Sequence, residues 1–249
     1  TTFEKYFKPL IFYLMKLLSP LLILYLMFQY VAEAQTDQNE WVSLFNGEDL
    51  EGWHLYNSEK EPVWIVEDGA LVFDPSKKLK GDPYQNIVTD KTFTNFQLSI
   101  EWNIMRKGNS GVFWAVNEAP EFGMPYNTGP EIQVIDNKRH PDAKVRPNYH
   151  QAGSLYDMVQ PIADMTRPAG EWNHFLITID YKNNKGSVDL NGSLIVEFPL
   201  YGEEWQDLIE NSKFKSPSFN GFGEFHTGRI GLQDHDDRVA YRNIKIKEL

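Results

Sequence analysis

The sequence predicts an all-β fold, a two-sheet antiparallel jelly-roll sandwich, and two observations carry that prediction. Apolar and polar residues alternate in short runs, which gives each strand one face to bury and one to expose. Clusters of Gly, Pro, Asn and Asp separate the runs, and roughly a dozen such runs follow Trp41. Continuous apolar stretches of the kind found in parallel sheets are not the pattern. With 249 residues, 41% of them hydrophobic and 14% aromatic, the chain can build one large core.

In chain order, residues 1–34 read as a secretory signal. Lys5, Lys8 and Lys16 precede the apolar run Leu17 to Val31, and Ala32-Glu33-Ala34 supplies a small-residue cleavage site. Export is therefore expected, to a bacterial periplasm or beyond, with no stable membrane anchoring after cleavage. A short tail over 35–40 leads into the domain at 41–249. Its first strand is expected at Val42 to Phe45. Trp64 to Glu67 and Ala70 to Phe73 form a hairpin, because Asp68-Gly69 supplies the positive φ angles of a type I′ turn. Strands are expected next at Asn86 to Thr89, Phe96 to Asn103, Gly111 to Val116 and Glu131 to Asp136. Phe175 to Tyr181, Ser187 to Leu190, Leu194 to Phe198, Arg229 to Gln233 and Ala240 to Lys247 complete the set, with Asn191-Gly192 as a second hairpin turn. Only Glu203 to Asn211 has helical spacing, through Trp205, Leu208 and Ile209. Two connections, 137–170 and 201–228, are long for a compact domain, and such loops on rigid sandwiches usually carry function.

Composition narrows the chemistry. A net charge of −11 repels phosphate backbones, no basic stripe interleaved with aromatics offsets it, and nucleic acid drops out as a partner. With no cysteine there is no disulfide, thiol nucleophile or thiolate metal site. Seven Trp and 12 Tyr suit stacking on the apolar C–H faces of sugar rings, although aromatics in sandwiches also serve packing.

Candidate site residues cluster in five places. The strand Glu131-Ile132-Gln133-Val134-Ile135-Asp136 turns Glu131 and Gln133 to one face, and a bulge would bring Asp136 to the same side. Glu101 lies on the polar face of its strand. Asn109-Ser110-Gly111 reads as a turn with two donors before Trp114. Asn148 to Asp157 concentrates His150, Tyr156 and Asp157 in the first long loop. Gln233-Asp234-His235-Asp236-Asp237 sets a histidine among carboxylates, where it can exchange protons near neutral pH or help ligate a hard divalent cation. Each of these has an ordinary structural alternative, a solvated strand face or a plain turn.

Taken in order, Leu44-Phe45-Asn46-Gly47 with Gly52-Trp53, Asn109-Ser110-Gly111-Val112-Phe113, Glu131-Ile132-Gln133-Val134-Ile135-Asp136, Gly170-Glu171-Trp172-Asn173, Gly231-Leu232-Gln233-Asp234-His235 and Arg242-Asn243-Ile244 resemble the 3-keto-disaccharide hydrolase domain family. The resemblance runs from Trp41 to Leu249. It implies a concanavalin A-like sandwich, export, and hydrolysis of glycosides whose sugar has been oxidised to a ketone at C3. It also implies a partner oxidoreductase that makes the ketone. The strand pattern Glu131-x-Gln133-x-x-Asp136 is similar to the Glu-x-Asp-x-x-Glu strand of jelly-roll endoglucanases, but Gln133 cannot ionise. A C3 ketone acidifies the C2 proton, so a base can remove it and expel the C1 substituent before water adds back. His235 or Glu131 is the expected base. Gln133 and Asn109 are the expected oxyanion donors. Asp136, Glu101 or His150 is the expected leaving-group acid, with Ser110, Tyr156, Gln233 and Trp114 in substrate contact. Two other classes remain open, a conventional β-glucanase using Glu131 and Asp136 and a non-catalytic carbohydrate-binding module.

Overall fold

A computed structural model describes residues 40–249, so the expected signal over 1–34 and most of the tail lie outside the described residues. Glu40–Leu249 forms one unit of 13 strands in two antiparallel sheets with a single α-helix. The larger sheet has the order β11 (Ser193–Phe198), β10 (Lys185–Leu190), β9 (Asn173–Asp180), β6 (Phe96–Ile104), β13 (Val239–Glu248), β4 (Ala70–Phe73) and β3 (Ile65–Glu67), with β1 (Val42–Ser43) also paired to β13. The smaller sheet runs β2 (Trp53–Leu55), β5 (Ile87–Thr89), β12 (Arg229–Leu232), β7 (Asn109–Val116) and β8 (Glu131–Ile135). No helix among the described residues is long and apolar enough to cross a membrane.

The alternation seen in sequence becomes burial. Along β6, Leu98, Ile100, Trp102 and Ile104 point into the space between the sheets, while Ser99, Glu101 and Asn103 point out. Ile132 and Val134 of β8 and Val112 and Trp114 of β7 meet them from the other side, all in one core cluster. Both expected hairpin turns have positive φ at each central residue, 51° and 71° at Asp68-Gly69 and 52° and 84° at Asn191-Gly192. The helix α1 spans Glu203–Glu210 and buries Trp205. Sequence periodicity passes over β2, because three residues between turns are too few to show alternation.

Two expectations are corrected by the backbone. Asn109-Ser110-Gly111 is not a turn but the start of β7; the turn lies just before it, with Lys107 at a φ of 65°. β8 has no bulge. Its pairing with β7 runs without a shift from Asn109↔Ile135 to Phe113↔Glu131, and the Asp136 N–H continues the ladder by donating to Gly108 O at 3.0 Å. Asp136 therefore stays on the side opposite Glu131 and Gln133.

Candidate functional site

Register builds the site on the outer face of the smaller sheet. Residues directly opposite in an antiparallel pair share a face, so Glu131 and Gln133 of β8 point the same way as their partners Phe113 and Gly111 of β7. Gly111 leaves the space that Glu131 fills: a Cβ there would lie 2.1 Å from Glu131 Oε1. The first long loop then covers this face. Gly153 N donates to Gln133 O, Gln133 N donates to Ser154 O, and Tyr156 N donates to Glu131 O at 2.8, 3.1 and 3.0 Å. An otherwise exposed edge is thereby paired, and Tyr156 is set beside Glu131.

The result is a cleft of about 270 Å³. Its floor is polar and buried: Glu131, Gln133 and Asn109, with Asn86, Gln233 and Asp234 from the neighbouring strand ends. Its walls are largely aromatic, with Tyr84, Tyr126, Tyr156, Phe214 and Phe219. Two floor acceptors, Asn109 Oδ1 and Gln233 Oε1, are buried without a partner. Buried polar atoms are rarely left unpaired, so these suit hydroxyl donors of a bound polyol. Gln133 Oε1 accepts the Val134 N–H at 3.1 Å, which leaves its Nε2 as the free donor.

Glu131 is the chemically unusual group. Burial pushes its carboxyl up to about 8, against smaller opposing influence from the Lys213 ammonium. At neutral pH it is mostly a neutral acid, yet one that ionises near the working range. His235 stands exposed at the rim, its Nε2 3.3 Å from Asn109 Nδ2. An amide N–H donating there leaves the neutral ring with its proton on Nδ1. Asn109 keeps a second Nδ2 N–H besides the one that meets His235, and its Oδ1 is an additional free acceptor.

His150, Asp142 and Asp157 form a clamp behind the cleft. His150 Nδ1 and Nε2 lie 3.0 Å from Asp142 Oδ1 and Asp157 Oδ1, so both ring nitrogens donate and the ring is an imidazolium. Burial opposes that charge, but the two carboxylates outweigh it and raise the group to about 9. Tyr156 packs tilted against the His150 ring, 4.3 Å between centroids, and donates its hydroxyl to Asp142 Oδ2 at 3.1 Å. Asp157 Oδ2 accepts the Lys213 backbone N–H at 2.7 Å, tying the first long loop to the second. His150 does not line the cleft and holds Tyr156 instead.

Four other expected site residues lie elsewhere. Asp136 accepts the Lys107 and Lys138 N–H groups and pairs with Arg139 at 3.2 Å, closing a turn outside the cleft. Glu101 is on the larger sheet, 2.7 Å from Arg242 Nε. Ser110 Oγ donates to Gln233 O or bonds Tyr241 Oη at 2.7 and 2.8 Å, and Trp114 stacks on Phe198 at 5.8 Å, both between the sheets. Strand parity explains these last two, since Ser110 and Trp114 alternate with Gly111 and Phe113. Sequence reasoning missed Lys213, Tyr84, Tyr126 and Asn86. Each comes from a connection or strand end whose local pattern carries no such signal.

Among the described residues, one group of three metal-ligating side chains comes within mutual reach, His140, His235 and Asp237, within 4.8 Å. His140 Nδ1 accepts the Asp142 N–H at 3.1 Å, so the neutral ring carries its proton on Nε2, facing Asp237 Oδ2 at 3.9 Å. Ligation through Nε2 requires the other tautomer, with two N–H groups opposed. As arranged, His140 and Asp237 are a histidine–carboxylate pair within ion-pair reach and not a cation cage.

A family model described as a 3-keto-alpha-glucoside-1,2-lyase-like domain matches residues 40–247. A 3-keto-disaccharide hydrolase from Bacteroides thetaiotaomicron is 35% identical over 236 residues, 86% of this chain and 80% of that protein. A solved structure from Parabacteroides distasonis, described as a candidate glycosyl hydrolase, has a TM-score of 0.75 at 33% identity, covering 84% of this chain and 94% of that one. A Bacillus subtilis protein with a galectin-like fold has a TM-score of 0.54 at 12% identity, covering 84% of this chain and 94% of its own; it shares the fold alone.

Proposed function

The chain belongs to the 3-keto-alpha-glucoside-1,2-lyase-like family, and on that basis we propose that it hydrolyses glycosides whose sugar carries a ketone at C3, by elimination and hydration. The observation that carries this reading is Glu131: a buried carboxyl raised to about 8, with no second free carboxylate beside it. Asp234 also lines the cleft, but it is engaged by Lys78 Nζ at 2.9 Å and the Gln85 N–H at 2.7 Å. A conventional glycosidase needs a carboxylate pair about 5 Å apart for retention, or about 6.5–9.5 Å for inversion. Asp136, the expected second member, faces away. A purely binding module has no use for a carboxyl held ready to ionise.

In the proposed reaction Glu131, as carboxylate, removes the C2 proton. The C–H electrons form the C2–C3 double bond and the ketone oxygen becomes an enolate, hydrogen-bonded by Gln133 Nε2. The enolate collapses, the C1–O bond breaks, and the leaving oxygen takes the proton that Glu131 removed. Water then adds to C1 of the enone, losing a proton to the Glu131 carboxylate, which returns it to C2. Atoms balance to net hydrolysis. Asn109 Oδ1 and Gln233 Oε1 accept sugar hydroxyls, and the aromatic walls cover the C–H faces. The ketone requires an oxidoreductase acting first on the same sugar, and an exported location belongs to the same proposal.

The test uses a chromogenic glucoside and its 3-keto derivative in deuterated buffer. Release from the keto form only, with deuterium at C2 of the freed sugar, is expected. Its kcat/KM rises with pH through about 8 as Glu131 ionises. Release without deuterium, or a rate that falls through that range, overturns the elimination route, because an acid role for Glu131 requires the protonated form.

A further inference from the structure

Enolate formation places a full negative charge on an oxygen in a cleft whose floor contains no positive group. The amide donors on that floor, from Asn86, Asn109, Gln133 and Gln233, are all neutral. Neutral donors are a small provision for a full oxyanion charge, since charge-assisted donors are roughly twice as strong. Lysine and arginine residues are therefore of interest, and Lys213 alone among them lines the cleft.

Lys213 is held in an uncommon way. Its backbone N–H is fixed by Asp157 Oδ2, so the clamp that sets Tyr156 also sets the start of this side chain. Ser212 caps the short 3₁₀ turn Lys213–Lys215 by accepting the Phe214 N–H. The ammonium lies 4.2 Å from the centroid of the Tyr156 ring and 5.3 Å from that of Phe214, within cation–π range of both. It makes no ion pair among the described residues, although the chain is acidic and Lys78, Arg146, Arg238 and Arg242 all find carboxylates. An aromatic platform holds a cation in place without neutralising it, so its charge remains available to a ligand.

We propose that Lys213 is a catalytic residue for this reaction, the cation that stabilises the C3 enolate and so confers preference for oxidised over unoxidised sugar. The proposal rests on the 3-keto reading above and assigns the charge that this chemistry needs. An ammonium is worth most to a substrate whose oxygen becomes anionic and little to one whose C3 bears a hydroxyl, which is differential binding of the transition state.

The experiment compares wild type, Lys213→Met and Lys213→Arg on the 3-keto glucoside, with a non-cleavable 3-keto C-glycoside as binding probe by calorimetry. Lys213→Met is expected to lower kcat about 10²-fold, the scale for losing one oxyanion donor, and to slow C2 deuterium exchange in parallel. Affinity for the probe is expected to fall by less than about fivefold, because a neutral ketone gains little from the charge. Lys213→Arg is expected to recover most of the loss by retaining the charge. The pH limb of the Met variant should also move upward, since the ammonium favours ionised Glu131, and a role confined to packing would leave that limb in place. Wild type active with Lys213→Met within about threefold of it overturns the assignment to Lys213 while leaving the 3-keto reading intact. Wild type inactive on the keto substrate overturns both.

Discussion

Glu101 and Glu131 are a natural experiment within one molecule. Each lies on an antiparallel strand of alternating pattern, and each points away from the core of the sandwich. Their fates are opposite. Glu101 reaches Arg242 Nε at 2.7 Å and Asn243 Nδ2 at 2.9 Å across the larger sheet, and although burial opposes ionisation, these partners hold its carboxyl below its ordinary range. Glu131 has no such partners, lies under Tyr156 and the second long loop, and is pushed up to about 8. The difference is the cover. A carboxyl on an open sheet face is a solvated structural charge, and the same group roofed by loops becomes a proton-transfer group.

The comparison is broken most severely by Glu131→Gln, which keeps shape and removes the ionisable group. It is expected to lower kcat on the keto glucoside about 10³-fold. Stability should move the other way. A raised carboxyl contributes stability that is fully present below its ordinary value of 4.5 and lost as pH rises through about 8. The melting temperature of wild type should therefore fall across that window, and the decline should flatten in the variant.

Removing part of the cover is the next largest change. His150→Asn deletes the imidazolium between half-buried Asp142 and buried Asp157 and is expected to cost about 1.5–3 kcal/mol by denaturant unfolding, the scale of a hydrogen bond to a charged group. The His150 contribution has the sign of a raised base: present below about 6.5 and lost as pH climbs through about 9. The variant should lose that alkaline dependence, and kcat should drop about tenfold through a displaced Tyr156.

Gly111→Ala sharpens the comparison without touching charge. Its new Cβ would meet Glu131 Oε1 at 2.1 Å and the Glu131 Cγ at 2.8 Å, so the carboxyl must leave its seat. Overpacking of this kind costs about 1–3 kcal/mol, measurable as a lower denaturation midpoint. Glu101→Gln should be the mildest change, below about 1 kcal/mol with activity within about twofold. A larger loss of turnover there would mean that the larger sheet takes part in catalysis.

Legibility followed the range of the interactions. Pairing of β3 with β4 through Asp68-Gly69 and of β10 with β11 through Asn191-Gly192 could be read because turn chemistry and alternation are local. Glu131 and Gln133 could be placed on one face for the same reason. Asp136 was misplaced because a bulge depends on the partner strand, and β7 pairs through without one. Ser110 was misread because a turn was expected where β7 begins, and Trp114 because the alternation of one strand does not say which face meets the other sheet. Lys213 and Tyr84 gave no sign, since nothing near them in sequence says that they will stand opposite Glu131.

The sequence by itself determined the class of fold, its hairpins, its acidic surface and the residue types available for chemistry, all of which follow from composition and periodicity two. Only the tertiary structure decided which of five candidate clusters share a cleft, that His150 clamps a wall and does not enter it, and that Glu131 is the carboxyl that becomes unusual. The reason is physical: a pKa is set by desolvation and by charges brought within a few ångströms, and those come from loops dozens of residues away along the chain.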